Sequence, residues 1–276
     1  MRAVYREFPP SSDLRGLVET FWTIRSDGRL RDARINRVVP DGCTDIIVAL
    51  GDPAPPGGGG SALGRASYFV GAMRRPRVVR LTGAVDLIGV RMRPGAGGAI
   101  LPMPAAELTD RTEPLDDVVP GRPGAPLLEA LADARDTAGR IARFETLLRR
   151  RAAATEPTPK AVLAAIAMIG RSGGRVTVRE LQERVGLSAR QLQRLFARFV
   201  GVSPKTACRV ARFRAARRRL DRDRRTSLGA IAYGGGYADQ AHFNREFKEF
   251  AGIAPGAYRA ERADVASVQD GTSDDD

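Results

Sequence analysis

The sequence predicts an α+β protein: a β-rich N-terminal part, then an all-α part built from two units of helix, tight turn and helix. Two observations carry this. Up to about residue 105 the chain breaks into short runs rich in β-branched and aromatic residues, VETFWTI, NRVVP, CTDIIVAL, SYFVGA, RVVRLTG and VDLIGVRM, punctuated by Gly, Pro and Asp. Such spacing suits a sandwich or barrel. Further on, one pattern occurs twice, from Thr177 to Pro204 and from Ser227 to Pro255. Val178, Leu181, Gly186 and Leu187 fall on Leu228, Ile231, Gly236 and Tyr237. After one inserted residue in the second turn, Leu192, Arg194, Phe196, Phe199, Gly201 and Pro204 fall on Phe243, Arg245, Phe247, Phe250, Gly252 and Pro255.

In chain order, the N-terminal runs enclose two features of chemical interest. PDGCTD, from Pro40 to Asp45, has the chemistry of a turn leading into a strand. Asp41, Cys43 and Asp45 are also candidates to line an effector pocket. Arg91 and Arg93, spaced to share a strand face, are either solvated or contacts for an anionic effector. Gly57 to Gly60 lack a following Gly-Lys-Ser/Thr and read as a loop between prolines. Residues 106–155 form a helical connector. In it Leu127, Leu128 and Leu131, then Ile141, Phe144, Leu147 and Leu148, recur at helical spacing, either to pair two subunits or to pack on the β-rich part.

TEPTPK (155–160) marks a hinge, after which Val162, Ile166 and Ile169 line the opening helix of residues 156–262. Within the first repeat Gly186 ends one helix and Ser188 caps the next. Leu192, Leu195, Phe196 and Phe199 must face inward, which leaves Arg190, Gln193, Arg194 and Arg198 outward. In the second, Asp239 is the cap, and Gln240, Ala241, Asn244 and Arg245 face out. A helix from Pro204 to Leu220 joins the units. It buries Val210, Phe213 and Leu220 and offers Arg209, Arg212, Arg214, Arg217, Arg218 and Arg219 to phosphates or solvent. Residues 263–276 are acidic and without apolar periodicity, the composition of a disordered tail.

Charge points the same way. The chain of 276 residues has a formal net charge of +13. Residues 171–262 hold 21 Lys+Arg against 8 Asp+Glu, so this stretch alone equals the whole excess, as a phosphate-binding surface requires. Arg outnumbers Lys 42 to 3, a ratio of the kind that GC-rich coding produces and that is not in itself evidence for DNA. The single histidine, His242, and the two cysteines, Cys43 and Cys208, make no recognisable metal site or disulfide framework, and no cofactor is implied. With no apolar run of membrane-spanning length and no signal peptide at the N-terminus, the expected location is the cytoplasm.

The repeat, above all LGAIAYGGGYADQAHFNREFKEFAGIAPGAYR, resembles the DNA-binding domain of AraC/XylS-type transcription regulators across about residues 158–260. PDGCTD is similar to a string found in the N-terminal half of some members. The resemblance implies that each second helix enters a major groove, with Arg190, Gln193 and Arg194 in one and Gln240, Ala241, His242 and Arg245 in the other approaching bases. It also implies a jelly-roll or cupin-like sensor over residues 1–105. Gln182, where the family has a small residue, and Gly234 to Gly236, in place of a more helical approach, depart from the pattern. Glycine costs up to about 1 kcal/mol relative to alanine in a helix, which predicts a looser second unit. The expected partners are double-stranded DNA, a small-molecule effector or a second copy of the chain, and RNA polymerase if the protein activates; no enzyme activity is expected. Two alternatives stand beside this reading: a DNA-repair-type protein with Cys43 as a reactive thiol, and an architectural protein that binds DNA without sequence preference.

Overall fold

Alternating apolar residues make the N-terminal half a single antiparallel sheet. The computed structural model describes residues 3–52, 65–223 and 225–261, so the Gly57 to Gly60 loop and the acidic tail lie outside the described residues. The strands are β1 (Ala3–Phe8), β2 (Val18–Val38), β3 (Thr44–Ala49), β4 (Ser67–Val70), β5 (Arg77–Met92) and β6 (Thr112–Pro114). They lie in the order β1-β2-β5-β3-β4-β6.

Four of the expected runs merge into two long strands. VETFWTI and the Asn36–Val38 part of NRVVP both belong to β2, and RVVRLTG and VDLIGVRM both belong to β5. The intervening glycines are not hairpin turns: the β2–β5 ladder runs past them, with Leu30 opposite Gly83 and register shifts on either side. Such irregularities bend a strand without ending it. Strand β1, which pairs Ala3 to Phe8 with Ser26 to Phe21, has no clear signal in the sequence because four of its six side chains are exposed.

Strand periodicity splits the sheet into two faces. Phe21, Ile46, Val48, Phe69, Ile88, Val90 and Met92 form one core face. It is covered by three helices, α1 (Leu115–Val118), α2 (Gly124–Ala132) and α3 (Thr137–Ala153), through Leu127, Leu131, Phe144 and Leu148. The apolar stripe of the connector is thus buried on its own sheet. Arg140 ties α3 to the sheet by donating to Asp86 at 2.9 Å. On the other face Trp22, Ile24, Leu30, Ala49, Val85 and Leu87 make a second cluster.

The helical half follows as α4 (Lys160–Arg171), α5 (Val178–Val185), α6 (Ala189–Phe199), α7 (Pro204–Arg222), α8 (Leu228–Gly234) and α9 (Gln240–Ala251). Local chemistry sets the boundaries. Thr177 with Glu180, and Ser188 with Gln191, close capping boxes, while Asp239 accepts from the His242 N–H. Gly186 and Gly236, equivalent in the two repeats, take φ of +66° and +74° in the turns.

The two halves meet closely. The sheet-side 3-10 turn Gly97–Ala99 abuts α6, and the Thr109 hydroxyl donates to the Gly201 carbonyl at 2.5 Å. A Cβ on Gly98 would stand 2.4 Å from the Phe199 carbonyl oxygen, inside contact distance, whereas one on Gly16 would meet nothing. Gly98→Ala is therefore expected to cost about 1–3 kcal/mol of stability, and Gly16→Ala close to none. Urea denaturation of the two variants checks the contrast.

Candidate nucleic-acid interface

Helices α6 and α9 each turn aromatic residues inward and polar residues outward. Leu192, Phe196 and Phe199 are buried on α6, and Phe243, Phe247 and Phe250 on α9. This leaves Arg190, Gln193 and Arg194 exposed on the first helix and Gln240, Ala241 and Arg245 exposed on the second. Arg and Gln side chains in the N-terminal half of an exposed helix have the donor geometry for base edges in a major groove.

Three candidates stand elsewhere than expected. Arg198 turns back to the N-terminal half, where Nη1 donates to the carbonyls of Gly98 (3.0 Å) and Met103 (2.9 Å) and Nη2 to that of Leu101 (3.1 Å). It cements the two halves and points away from the exposed face that carries Arg190, Gln193 and Arg194. Asn244 is half-buried, with its Oδ1 enclosed. His242 is half-buried too. Its Nδ1 accepts from the Ala238 N–H at 3.4 Å and its ring meets Tyr237 edge-on, so the imidazole braces the second turn.

Between the two units lies a buried acid that sequence reasoning missed. Glu246 is 3% exposed and accepts from Arg209 Nε (2.8 Å), Arg212 Nε (3.1 Å) and Arg212 Nη2 (3.2 Å). Arg209 also donates to Glu249 at 2.5 Å and lies over the Phe250 ring, and Arg212 lies over Tyr237. Arg214 donates to the Asp41 carbonyl at 2.7 Å. Three of the connecting-helix arginines expected at phosphates or in solvent are therefore engaged inside the protein. Arg218 and Arg219 are exposed.

The N-terminal candidates divide as well. Asp41 closes a turn by accepting from the Cys43 N–H at 2.9 Å, while its other oxygen lies 3.4 Å from Arg91 Nε. Asp45, opposite Arg91 in the ladder, lies 3.6 Å from that nitrogen and accepts from Trp22 Nε1 at 2.9 Å. Arg93 does not join them: it falls just past β5 and donates to the Arg15 carbonyl at 2.7 Å. Burial raises the Asp45 carboxyl from 3.8 to about 6, with the Arg91 charge opposing the rise. Cys43 is buried and donates to Glu19 at 3.1 Å; burial, then Asp41 and Glu19, push its thiol well above the usual range.

Comparison with known proteins assigns the helical half. Residues 181–261 match the family model described as a helix-turn-helix domain. This is an AraC-type helix-turn-helix domain. Residues 6–114 match a domain of unknown function, DUF6597. Over 90 residues the chain is 36% identical to the HTH-type transcriptional regulator Rv1931c of Mycobacterium tuberculosis, a match covering 33% of this chain and 34% of the relative. The chain thus matches about a third of the length of that curated relative. A transcriptional regulator from Chromobacterium violaceum is 26% identical, covering 37% of this chain and 92% of its own, with a TM-score of 0.35. The DNA-binding domain of AdpA, solved with a target DNA, is 23% identical over 37% of this chain and 93% of its own, also at 0.35. ToxT of Vibrio cholerae covers 87% of this chain and 98% of its own at 10% identity and a TM-score of 0.47.

Glu246 within KEFA carries no sequence signal for its role, because the arginines it binds lie on another helix. Within the helix-turn-helix domain, Glu246→Ala is expected to cost about 3–5 kcal/mol, since two guanidinium groups lose their shared acid; thermal unfolding reads it out. In the N-terminal half, Asp45 in the folded protein holds a proton between pH 4 and 6 that the unfolded chain has released. Its contribution therefore lowers stability as pH rises through that window. Asp45→Asn is expected to flatten this part of the pH profile and to abolish a Trp22 emission change centred near pH 6. A persisting transition would assign the change to another group.

Proposed function

We propose that the protein is a sequence-specific DNA-binding transcription regulator whose helices α6 and α9 read two adjacent major-groove segments. The observation that carries this is the repetition of one outward arginine, Arg194 and Arg245, at the same place in two capped recognition-type helices. Arg190 and Gln193 extend the first reading face, and Gln240 and Ala241 the second. The shared similarity to an HTH-type transcriptional regulator supports the assignment. So does a groove between the units, into which Arg175, Lys205 and Arg245 bring positive charge. A basic surface of this kind supplies affinity and register, and the outward side chains choose the sequence.

The N-terminal half then serves to modulate binding through a small-molecule effector or through pairing of subunits. Repression needs only a suitably placed operator, whereas activation adds a contact with RNA polymerase. The reactive-thiol alternative finds no support. A thiolate nucleophile needs an electropositive, accessible setting, and Cys43 is buried with its thiol on a carboxylate.

Footprinting on DNA flanking the protein's own gene tests the proposal, with a protected patch of about two helical turns expected. On the protected sequence, Arg194→Ala and Arg245→Ala should each cost about 1–3 kcal/mol, more than on random DNA, because each removes a bidentate base contact. Arg198→Ala should leave that discrimination intact and lower stability instead. Equal losses on both DNAs for Arg194→Ala and Arg245→Ala would leave only non-specific phosphate binding.

A further inference from the structure

The face of the sheet turned away from α1 to α3 lines a partly open cavity of about 120 Å³. Its walls are largely aliphatic, including Ile24, Val38, Ile47, Val79 and Leu87, with the Trp22 indole forming one side. The indole lies flat over the strand at Gly89, where a Cβ would come within 2.4 Å of it. The size is of the order of the roughly 150 Å³ apolar cavity known to take benzene.

Charge in the walls is uneven. The acid, Asp45, is already matched by Trp22 Nε1 and Arg91. Arg77 is matched differently: among the described residues its hydrogen-bond partners are neutral, the Thr112 hydroxyl and the Asp110 carbonyl at 2.8 Å. One positive charge at the cavity is thus held by dipoles alone. An anion beside it gains a charge-assisted hydrogen bond, whereas a cation meets an acid that is already paired.

The cavity also shares its wall with the helical half. Val38 lines the cavity, and its neighbour Val39 packs against the cluster that contains Val210, Phe213 and Phe250. Met73 lines it, and its neighbour Ala72 belongs to the buried cluster of the helical half that contains Val162 and Phe199. Arg77 follows Pro76, which lies at Gly252 just beyond α9. The Asp41 carboxylate faces Arg91, while its carbonyl accepts from Arg214 on α7. Adjacent residues thus serve the cavity and the interface in turn, so displacement of one set moves the other.

We propose that this cavity is a ligand site for a small apolar molecule bearing one anionic group, set at Arg77, and that its occupation is passed to α7 through the shared wall. The proposal deepens the effector part of the functional reading and rests on it, but its test does not involve DNA. Trp22 is the single tryptophan of the chain and a direct reporter. The full chain is titrated at pH 8 with cyclohexanecarboxylate, cyclohexanecarboxamide and cyclohexylmethylamine, three probes of one shape that do not absorb with tryptophan.

The carboxylate is expected to give a saturable change in emission, and the other two to bind at least about tenfold more weakly, the worth of one charge-assisted hydrogen bond. Arg77→Gln should reduce the carboxylate to the level of the amide, and Arg77→Lys, which keeps the charge, should retain most of its binding. No saturable change, equal responses to the three probes, or an undiminished response in Arg77→Gln overturns the site, whatever the protein does with DNA. Hydrogen exchange of the amides in residues 204–222 reads the second clause. Slower exchange with saturating carboxylate supports transmission, and unchanged exchange while Trp22 is saturated overturns it.

Discussion

The proposed reading of one DNA sequence by two helices requires a fixed placement of each on the connecting helix, and a buried carboxylate holds α9 on α7. Glu246 projects from the inner side of α9 and meets Arg209 and Arg212 from α7. An unpaired buried acid would be strongly disfavoured, so α9 has little freedom to slide along α7 without losing both partners at once. Aromatic packing completes the joint: Phe213 meets Phe247 and Phe250, and Arg212 lies over Tyr237. The polar contacts set the register, and the aromatic cluster supplies most of the buried apolar area. The glycine-rich turn of the second unit, Gly234 to Gly236, runs directly into Tyr237, which Arg212 overlies.

The N-terminal sheet is organised by a different constraint, the two-residue period of a strand. One face is buried under α1 to α3, and the opposite face folds around a cavity because β2 and β5 are long and irregularly registered. The same period brings the cavity and the helical half into contact. Where a strand end or turn lies between them, successive residues point to alternate sides, as Val38 and Val39 do. Arg198, donating to three carbonyls, and Gly98, lying against Phe199, keep that interface tight at the first unit.

The fates of the arginines show where reading a sequence reaches its limit. In a chain with so many, helical periodicity tells which arginines leave the core of their own helix and nothing about what they meet there. Arg194 and Arg245 meet solvent. Arg198, on the same helix as Arg194, meets the N-terminal half, and Arg209, Arg212 and Arg214 meet acids or a carbonyl contributed by other elements. Likewise Arg91 and Arg93 are alike in sequence, but only Arg91 faces Asp41 and Asp45, because β5 ends at Met92 and the chain then turns towards Arg15.

What the sequence determined by itself is what local chemistry and periodicity decide. The repeat fixed two helix-turn-helix units, their inward Phe and Leu stripes, their caps at Ser188 and Asp239 and their glycine turns, since each depends on residues within a few positions of one another. It likewise marked the first half as β-rich and singled out Asp41, Cys43 and Asp45 within one turn, and Arg91 with Arg93 on one run, without linking the two groups. Only the tertiary structure decided that four short runs are two bent strands, that Glu246 is the joint of the helical half, that Arg198 is a fastener, and that a cavity lies beside Trp22 and Arg77. Those features arise from contacts between residues tens to a hundred positions apart. No local period encodes such contacts: burial, charge pairing and shape select them once the sheet and helices meet.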